Sequence, residues 1–225
     1  HDITKLEVQL AESLAYGAGQ FARITLPALS SVARSYSFAA PVSTDNKVSF
    51  YIKHVPGGAF STIVQEQDLL GQKVEVDGPY GDFYLREAEV PFVCIAGGSG
   101  LAPVKALLEK ALEDGIKRDV VFLFGARTEA DLYCLAEINE IKEKWLGKFE
   151  FIPVLSDEPT SSAWQGKTGY ITEHLAQYLI GTEQAYLCGP PAMIDSSVDV
   201  LKRHGITGPS IFFDKFISDA DSAAA

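Results

Sequence analysis

The eleven residues Cys94-Ile95-Ala96-Gly97-Gly98-Ser99-Gly100-Leu101-Ala102-Pro103-Val104 spell out a piece of binding chemistry. An apolar strand, Phe92 to Ala96, runs into a glycine turn. The turn opens an apolar-faced helix, Val104 to Leu112, with Pro103 near its first position, where a missing N–H costs nothing. Glycines let the backbone approach a ligand closely, and the helix N-terminus adds free N–H groups and a partial positive charge. That combination seats a pyrophosphate. The spacing is G-x-G-x-x-P rather than the dinucleotide fingerprint G-x-G-x-x-G, so a plain turn between strand and helix is the competing reading.

A second glycine/proline loop, Cys188-Gly189-Pro190-Pro191, follows another apolar run. In a doubly wound sheet the ligand lies beyond the carboxyl ends of the strands at the topological switch point. A strand order of 3-2-1-4-5 makes the strands before the two loops neighbours, so the loops face each other across one crevice with Cys188 at its floor. In the first half, Arg34-Ser35-Tyr36-Ser37 puts Arg34 and Tyr36 on one face of an extended segment. A cation beside an aromatic ring can hold a phosphate while the ring stacks on a flat heterocycle; an ordinary surface arginine beside a half-buried tyrosine is the alternative. Gly57-Gly58-Ala59-Phe60-Ser61-Thr62 sets glycines before a Ser/Thr helix start, leaving N–H groups for an anion or forming a simple turn and cap. Gly78-Pro79-Tyr80-Gly81 reads as a structural tight turn.

The elements that must position these residues differ between the halves. From Leu6 to about Leu85, short alternating strands (Leu6 to Leu10, Phe21 to Leu26, Val48 to Lys53) sit between turns, the pattern of an antiparallel barrel or sandwich. One short helix is expected from near Ser61 to before Gly71. From Pro91 onward strand and helix alternate. Strands are expected at 92–96, 120–125, 149–154, 185–188 and 210–213, and helices at 103–113, 131–144, 171–180 and 191–204. That is βαβ repetition and a five-stranded parallel sheet covered on both faces. The expected division is 1–88 and 89–225, with a hinge at Arg86 to Pro91. The small polar tail, 218–225, is expected to fray. The chain opens within a turn or two of its first strand, where a barrel usually has one more, so the sequence reads as a fragment or a processed chain.

Composition narrows the function classes. A formal net charge of −11 argues against nucleic-acid binding, which runs on Lys/Arg neutralising phosphates. No apolar run reaches the ~18 residues of a membrane span, and no signal peptide is visible, so a cytoplasmic location is expected. Three cysteines (Cys94, Cys134, Cys188) and four histidines are scattered without metal-ligand spacing, so no metal is expected in this chain.

Taken together and in order, Arg34-Ser35-Tyr36-Ser37, Gly57 to Thr62, Gly78 to Gly81, Gly97 to Pro103, Cys188-Gly189-Pro190 and Phe213-Asp214-Lys215-Phe216 make the sequence resemble the ferredoxin–NADP⁺ reductase superfamily. More narrowly it is similar to the NADH-dependent, FAD-containing reductase components of bacterial multicomponent oxygenases, such as that of soluble methane monooxygenase. The resemblance covers nearly the whole chain. It implies a flavin-binding antiparallel Greek-key β-barrel followed by an α/β doubly wound domain for the nicotinamide dinucleotide. Tyr36 is then expected to stack on the flavin ring, Arg34 to contact its phosphate and Ser37 to lie near flavin N5. Because Ser37 points away from Tyr36 in an ideal strand, the strand must bend there or Ser37 must act through its backbone. The resemblance further assigns Gly58, Ser61 and Thr62 to the flavin pyrophosphate, and Gly98, Ser99, Gly100 and Pro103 to the dinucleotide turn. It sets Cys188, with Gly189 and Pro190, near the nicotinamide, Asp214 as a carboxylate close to Cys188, and Phe216 over the flavin.

NADPH-specific relatives carry a Ser-Arg pair after the third parallel strand; here that stretch reads Ser156-Asp157-Glu158. Carboxylates repel a 2′-phosphate and accept hydrogen bonds from ribose hydroxyls, so NADH is expected over NADPH, with Asp157 in the site and Arg127 as the contrary feature. The implied mechanism is hydride transfer from NADH to FAD, then single electrons to an acceptor. Three scattered cysteines cannot hold a [2Fe–2S] cluster, which needs four ligands, so the implied partners are a separate [2Fe–2S] ferredoxin domain or protein and the oxygenase it feeds. A free flavin reductase, a flavohaemoglobin-type reductase domain and a non-catalytic nucleotide-binding electron-transfer subunit are the alternatives.

Overall fold

The computed structural model describes residues 2–30 and 32–216; the expected fraying of residues 218–225 lies outside them. The first half forms two small antiparallel sheets. β1 (Ile3–Gln9) pairs along its whole length with β4 (Lys47–Lys53). β2 (Phe21–Thr25) lies between β3 (Ala33–Ser37) and β5 (Glu75–Tyr80). A bridge from Phe38 to Phe50 joins the sheets, giving the order β1-β4-β3-β2-β5. Strands β2, β3 and β4 are consecutive neighbours and β1 returns beside β4, the Greek-key arrangement. The pattern that specifies it is the alternation read above: Ala22 and Ile24 point inward while Arg23 is exposed. Gly78 and Pro79 belong to β5 rather than to a free turn. Gly78 sits where a Cβ would come within 3.1 Å of the Ala22 side chain, so the two strands approach closely there. The helix α1 (Ala59–Glu66) begins and ends earlier than expected.

The second half is a parallel sheet in the order β11-β10-β6-β7-β8-β9, built from β6 (Phe92–Gly97), β7 (Val120–Ala126), β8 (Phe149–Leu155), β9 (Lys167–Thr168), β10 (Gln184–Gly189) and β11 (Ile211–Lys215). Five of these keep the expected 3-2-1-4-5 order. The sheet is nevertheless six-stranded, not five: β9 adds two residues against Val154 and Leu155. Both β9 residues are exposed, so no apolar pattern announces them. All six residues of β6 are buried because helices cover both faces. Phe92, Cys94 and Ala96 face α2 (Leu101–Glu113) and α3 (Leu135–Lys144), while Val93 and Ile95 face α4 (Ile171–Leu175) and α5 (Pro191–Arg203). Two helices are shorter than expected. Residues Glu129–Asp131 form a separate 3-10 turn closed by a Thr128/Asp131 capping box, and Cys134, at φ +56°, breaks continuity before α3. After α4 the chain tightens into a 3-10 turn, Ala176–Tyr178.

Packing and hydrogen bonds join the halves. Strand β4 is buried on both faces: Val48, Phe50 and Ile52 fill the barrel core, while Tyr51 packs with Ala39 and with Ala102 in the first turn of α2. The connecting segment is strapped down by Arg118, whose guanidinium donates to the carbonyls of Val90 (2.5 Å) and Arg86 (3.1 Å) and to Gln184 (2.8 Å).

Candidate functional site

The carboxyl ends of β6 and β10 lie side by side, with Ala96 opposite Cys188. The two loops that leave them are therefore in contact, and their glycines have separate reasons to be there. A Cβ on Gly100 would fall 2.2 Å from the Cys188 carbonyl oxygen, and one on Gly97 would fall 2.6 Å from the Met193 sulfur. Gly98 takes φ +55° and Gly189 φ +144°, conformations that L side chains rarely adopt. Gly100 thus serves loop packing, and Gly98 shapes the turn. Pro103 is buried in the first turn of α2, and Pro190 stands at the N-cap of α5. No side chain caps either helix; the Leu101 N–H that opens α2 is already bonded to the Gly98 carbonyl, so what α2 offers an anion lies in the turn ahead of it.

A cavity of about 620 Å³ opens against Gly97, Gly98 and Pro190, and its far wall is formed by Gly125, Ser156 and Tyr170. The barrel half contributes Asp2 and Lys53. Charges collect at its mouth. The Asp2 carboxylate lies 3.8 Å from the Lys53 ammonium and 3.7 Å from the Arg127 guanidinium, which is also 3.5 Å from Asp131. Burial would raise the Asp131 carboxyl, but hydrogen bonds from the Thr128 N–H and hydroxyl, with Arg127 beside it, hold it below its ordinary value. Asp157 is exposed and outside the cavity wall, and its N–H bonds the Arg127 carbonyl at 2.8 Å. Ser156 is the member of that stretch that lines the cavity. Sequence reasoning passed over Lys53, Asp131, Tyr170 and Met193; none belongs to a motif, and only the fold brings them to the cavity.

On the barrel side, β3 exposes Arg34 and half-buries Tyr36, whose ring lies 5.2 Å from that of Phe60 in α1. Burial pushes the Tyr36 phenol up to about 12, partly offset by Arg34. Ser37 is only 4% exposed, and its hydroxyl has no protein partner. The Gly58 loop is tight: a Cβ there would meet the Ser61 hydroxyl at 2.9 Å. The Ser61 hydroxyl is engaged inside its own loop, accepting from the Val55 N–H and donating to the Val55 or Gly58 carbonyl. Its side chain therefore shapes the loop, and the first-turn N–H groups of the uncapped α1 are what the loop offers an anion; the N–H of the half-exposed Thr62 is already bonded to the Gly58 carbonyl at 3.0 Å. An orphaned hydroxyl, an aromatic ring, a cation and an uncapped helix fit a flavin dinucleotide.

Between the two halves, Cys188 and Asp214 are register partners on β10 and β11. Cys188 is fully buried, and burial, with Asp214 beside it, pushes its thiol well up. Asp214 is raised to about 6, by burial first and Asp82 second. Phe216 donates its N–H to the Gly189 carbonyl at 3.0 Å and packs on the core that holds Cys188. Apart from Asp157, the sequence-predicted residues fall into a barrel group and a parallel-sheet group, and the two halves meet where Ala39 and Tyr51 pack on Ala102. Among the described residues no group of three or more His, Cys, Asp or Glu side chains is placed to hold a metal ion, and no helix is long and apolar enough to cross a membrane.

Comparison with known proteins agrees with this geometry. Residues 1–84 match the oxidoreductase FAD-binding domain family, and residues 94–199 match the oxidoreductase NAD-binding domain family. The chain is 43% identical over 217 residues to the xylene/toluene monooxygenase electron transfer component XylA of Pseudomonas putida, covering 96% of this chain and 62% of that protein. It is 36% identical over 222 residues to the reductase component of propane 2-monooxygenase from Gordonia sp. (strain TY-5), covering 96% and 63%. Among solved structures, the Amycolatopsis cytochrome P450 reductase GcoB superposes with a TM-score of 0.83 at 34% identity, covering 96% of this chain and 65% of that one. The ferredoxin reductase in carbazole 1,9a-dioxygenase does so at 0.84 and 30%, with the same coverage. The chain spans less than two thirds of the length of these relatives.

Proposed function

The chain belongs to the ferredoxin-reductase-like oxidoreductases that carry an FAD-binding and an NAD-binding domain, and we propose that it takes hydride from NADH onto FAD and passes electrons singly to a [2Fe–2S] ferredoxin domain or protein that feeds an oxygenase. The observation that carries the reading is that the two loops touch, Gly100 against Cys188, and that Gly97 and Gly98 of one and Pro190 of the other line one cavity beside the barrel. The names of the relatives, electron-transfer and reductase components of oxygenase systems, support the acceptor. We divide the chain at 1–88 and 89–225, and infer that it works in the cytoplasm, where NADH is generated.

When bound, FAD supplies the conversion of a two-electron hydride into single electrons. The protein's part is orientation and exclusion of water. In this reading Tyr36 offers a flat face to the flavin, Arg34 a cation to its phosphate, and α1 its N–H groups to the pyrophosphate. Ser37 donates or accepts a hydrogen bond near flavin N5, and Phe216 covers the ring. Gly98, Ser99 and Gly100 receive the nicotinamide dinucleotide's pyrophosphate. Cys188 and Asp214 form the floor beneath the nicotinamide, where a thiol kept protonated by burial adds no charge to repel the departing hydride. For the choice of NADH the support is Ser156 at the cavity wall with Asp157 and Glu158 behind it, and Arg127 already engaged by Asp2 and Asp131.

The test is anaerobic mixing of the flavin-loaded chain with NADH or NADPH while the visible flavin absorbance is followed. Rapid bleaching by NADH is expected. No bleaching with flavin bound sinks the enzyme reading, and faster bleaching by NADPH refutes the cofactor choice. Adding an oxidised [2Fe–2S] ferredoxin to the reduced protein should restore the flavin colour.

A further inference from the structure

Tyr133 belongs to no motif in the sequence. It stands between the 3-10 turn Glu129–Asp131 and α3, and its hydroxyl donates to the Gly98 carbonyl at 3.0 Å. The same carbonyl accepts the Leu101 N–H at the start of α2. A carbonyl held by both bonds points along the helix. In a planar trans peptide the N–H points the opposite way, so the Ser99 N–H is aimed out of the helix N-terminus, where an anion would sit. We propose that Tyr133 is a positioning residue of the dinucleotide site, its hydroxyl clamping the Gly98–Ser99 peptide so that the Ser99 N–H faces the dinucleotide's pyrophosphate. The inference rests on the reading of the glycine turn as the dinucleotide seat.

Three observations support a clamp here. Gly98, at φ +55°, lacks a Cβ that would restrict its peptide, so the Tyr133 bond adds a restraint from outside the turn to the one the Leu101 N–H supplies. The Tyr133 ring is itself fixed edge-on by Tyr51 at 5.4 Å and by Phe124 at 5.8 Å. Tyr51 comes from the barrel strand β4 and Phe124 from β7, so packing of both halves sets the seat. Burial pushes the Tyr133 phenol well above its ordinary value, so the hydroxyl keeps its proton to donate across the working pH range.

The test compares the full 225-residue chain with Tyr133→Phe and Tyr51→Phe by calorimetric titration with NAD⁺, which carries the pyrophosphate without reducing flavin. Thermal unfolding of each is measured alongside. Tyr133→Phe should weaken NAD⁺ binding about three- to tenfold, the range for one lost hydrogen bond. Its unfolding midpoint should stay within about 2 °C, because the Gly98 carbonyl keeps the Leu101 N–H. Tyr51→Phe removes a neighbouring hydroxyl whose partner is the Cys134 thiol, at 3.1 Å, and should leave the affinity within about twofold. Unchanged binding in Tyr133→Phe overturns the proposal. So does an equal loss in Tyr51→Phe, or a fall in midpoint that accounts for the lost affinity. If the unmodified chain binds no NAD⁺, the dinucleotide reading itself falls and the clamp with it.

Discussion

The hydroxyl of Ser37 is buried without a protein partner, and a polar group left so costs ~1–3 kcal/mol unless a ligand completes it. In the proposed reading the flavin is that ligand, and Ser37 is turned into the interior at the end of β3, just before Phe38 and its bridge with Phe50. Asp214 is the other residue whose surroundings make a measurable demand. Its carboxyl is raised to about 6, against an unfolded value near 3.9. The folded state therefore binds the proton more tightly than the unfolded chain, and stability falls as pH rises from about 4 through 6. Asp214→Asn removes that dependence. The variant should be no more stable than the parent near pH 4 and should gain on it up to about pH 6–7, by an amount on the order of 3 kcal/mol, with a constant difference above. Chemical denaturation at pH 4, 5, 6 and 7 reads this directly, and parallel curves for the two proteins would remove Asp214 from the account.

At the scale of elements, the glycine turn does two jobs that a motif cannot separate. Gly100 leaves room for the backbone of the neighbouring loop, while Gly98 supplies a left-handed residue. Gly100→Ala must push β10 and the turn apart, because the atoms it meets are backbone. A loss of ~1–3 kcal/mol is expected, with loss of NAD⁺ binding. Gly208→Ala, with open space around its Cβ and no positive φ, should stay within about 0.5 kcal/mol. Urea midpoints check both, and equal midpoints for Gly100→Ala and the parent would contradict the packing role. The same elements show what could be read beforehand. Long apolar strands with both faces covered, and the turns that end them, are legible because burial and glycine leave a local trace. Strand β9 left none, being two exposed residues held only by their pairing with β8. The early part of the expected 131–144 helix was lost to a capping box and a left-handed Cys134, a choice made by local hydrogen bonds rather than by apolar period. For Asp157 the reason is related: the composition of its loop is visible in the sequence, but which of the loop's residues turns toward the cavity depends on the bond from the Asp157 N–H to the Arg127 carbonyl.

Across the whole molecule, a chain of net charge −11 is expected to receive an anionic dinucleotide, so the cations at the cavity mouth matter more than their exposure suggests. Lys53 comes from the barrel and Arg127 from the parallel sheet, and Asp2 lies within 4 Å of both. These pairs are partly exposed, so their worth to folding is ~0–1 kcal/mol. Their effect on an incoming phosphate is of the opposite sense, because the Asp2 carboxylate repels the anion and occupies the two cations that would attract it. Asp2→Asn should leave the unfolding midpoint nearly unchanged and tighten NAD⁺ binding about two- to fivefold at low ionic strength, which corresponds to an interaction of ~0.5–1 kcal/mol. Near 1 M salt, where screening acts over ~3 Å, the gain should vanish. Titrations at two salt concentrations decide the matter. Equal affinity of Asp2→Asn and the parent at low salt would mean that the cations are out of the ligand's reach, whereas weaker binding would make Asp2 a brace for Lys53 and Arg127 rather than their competitor.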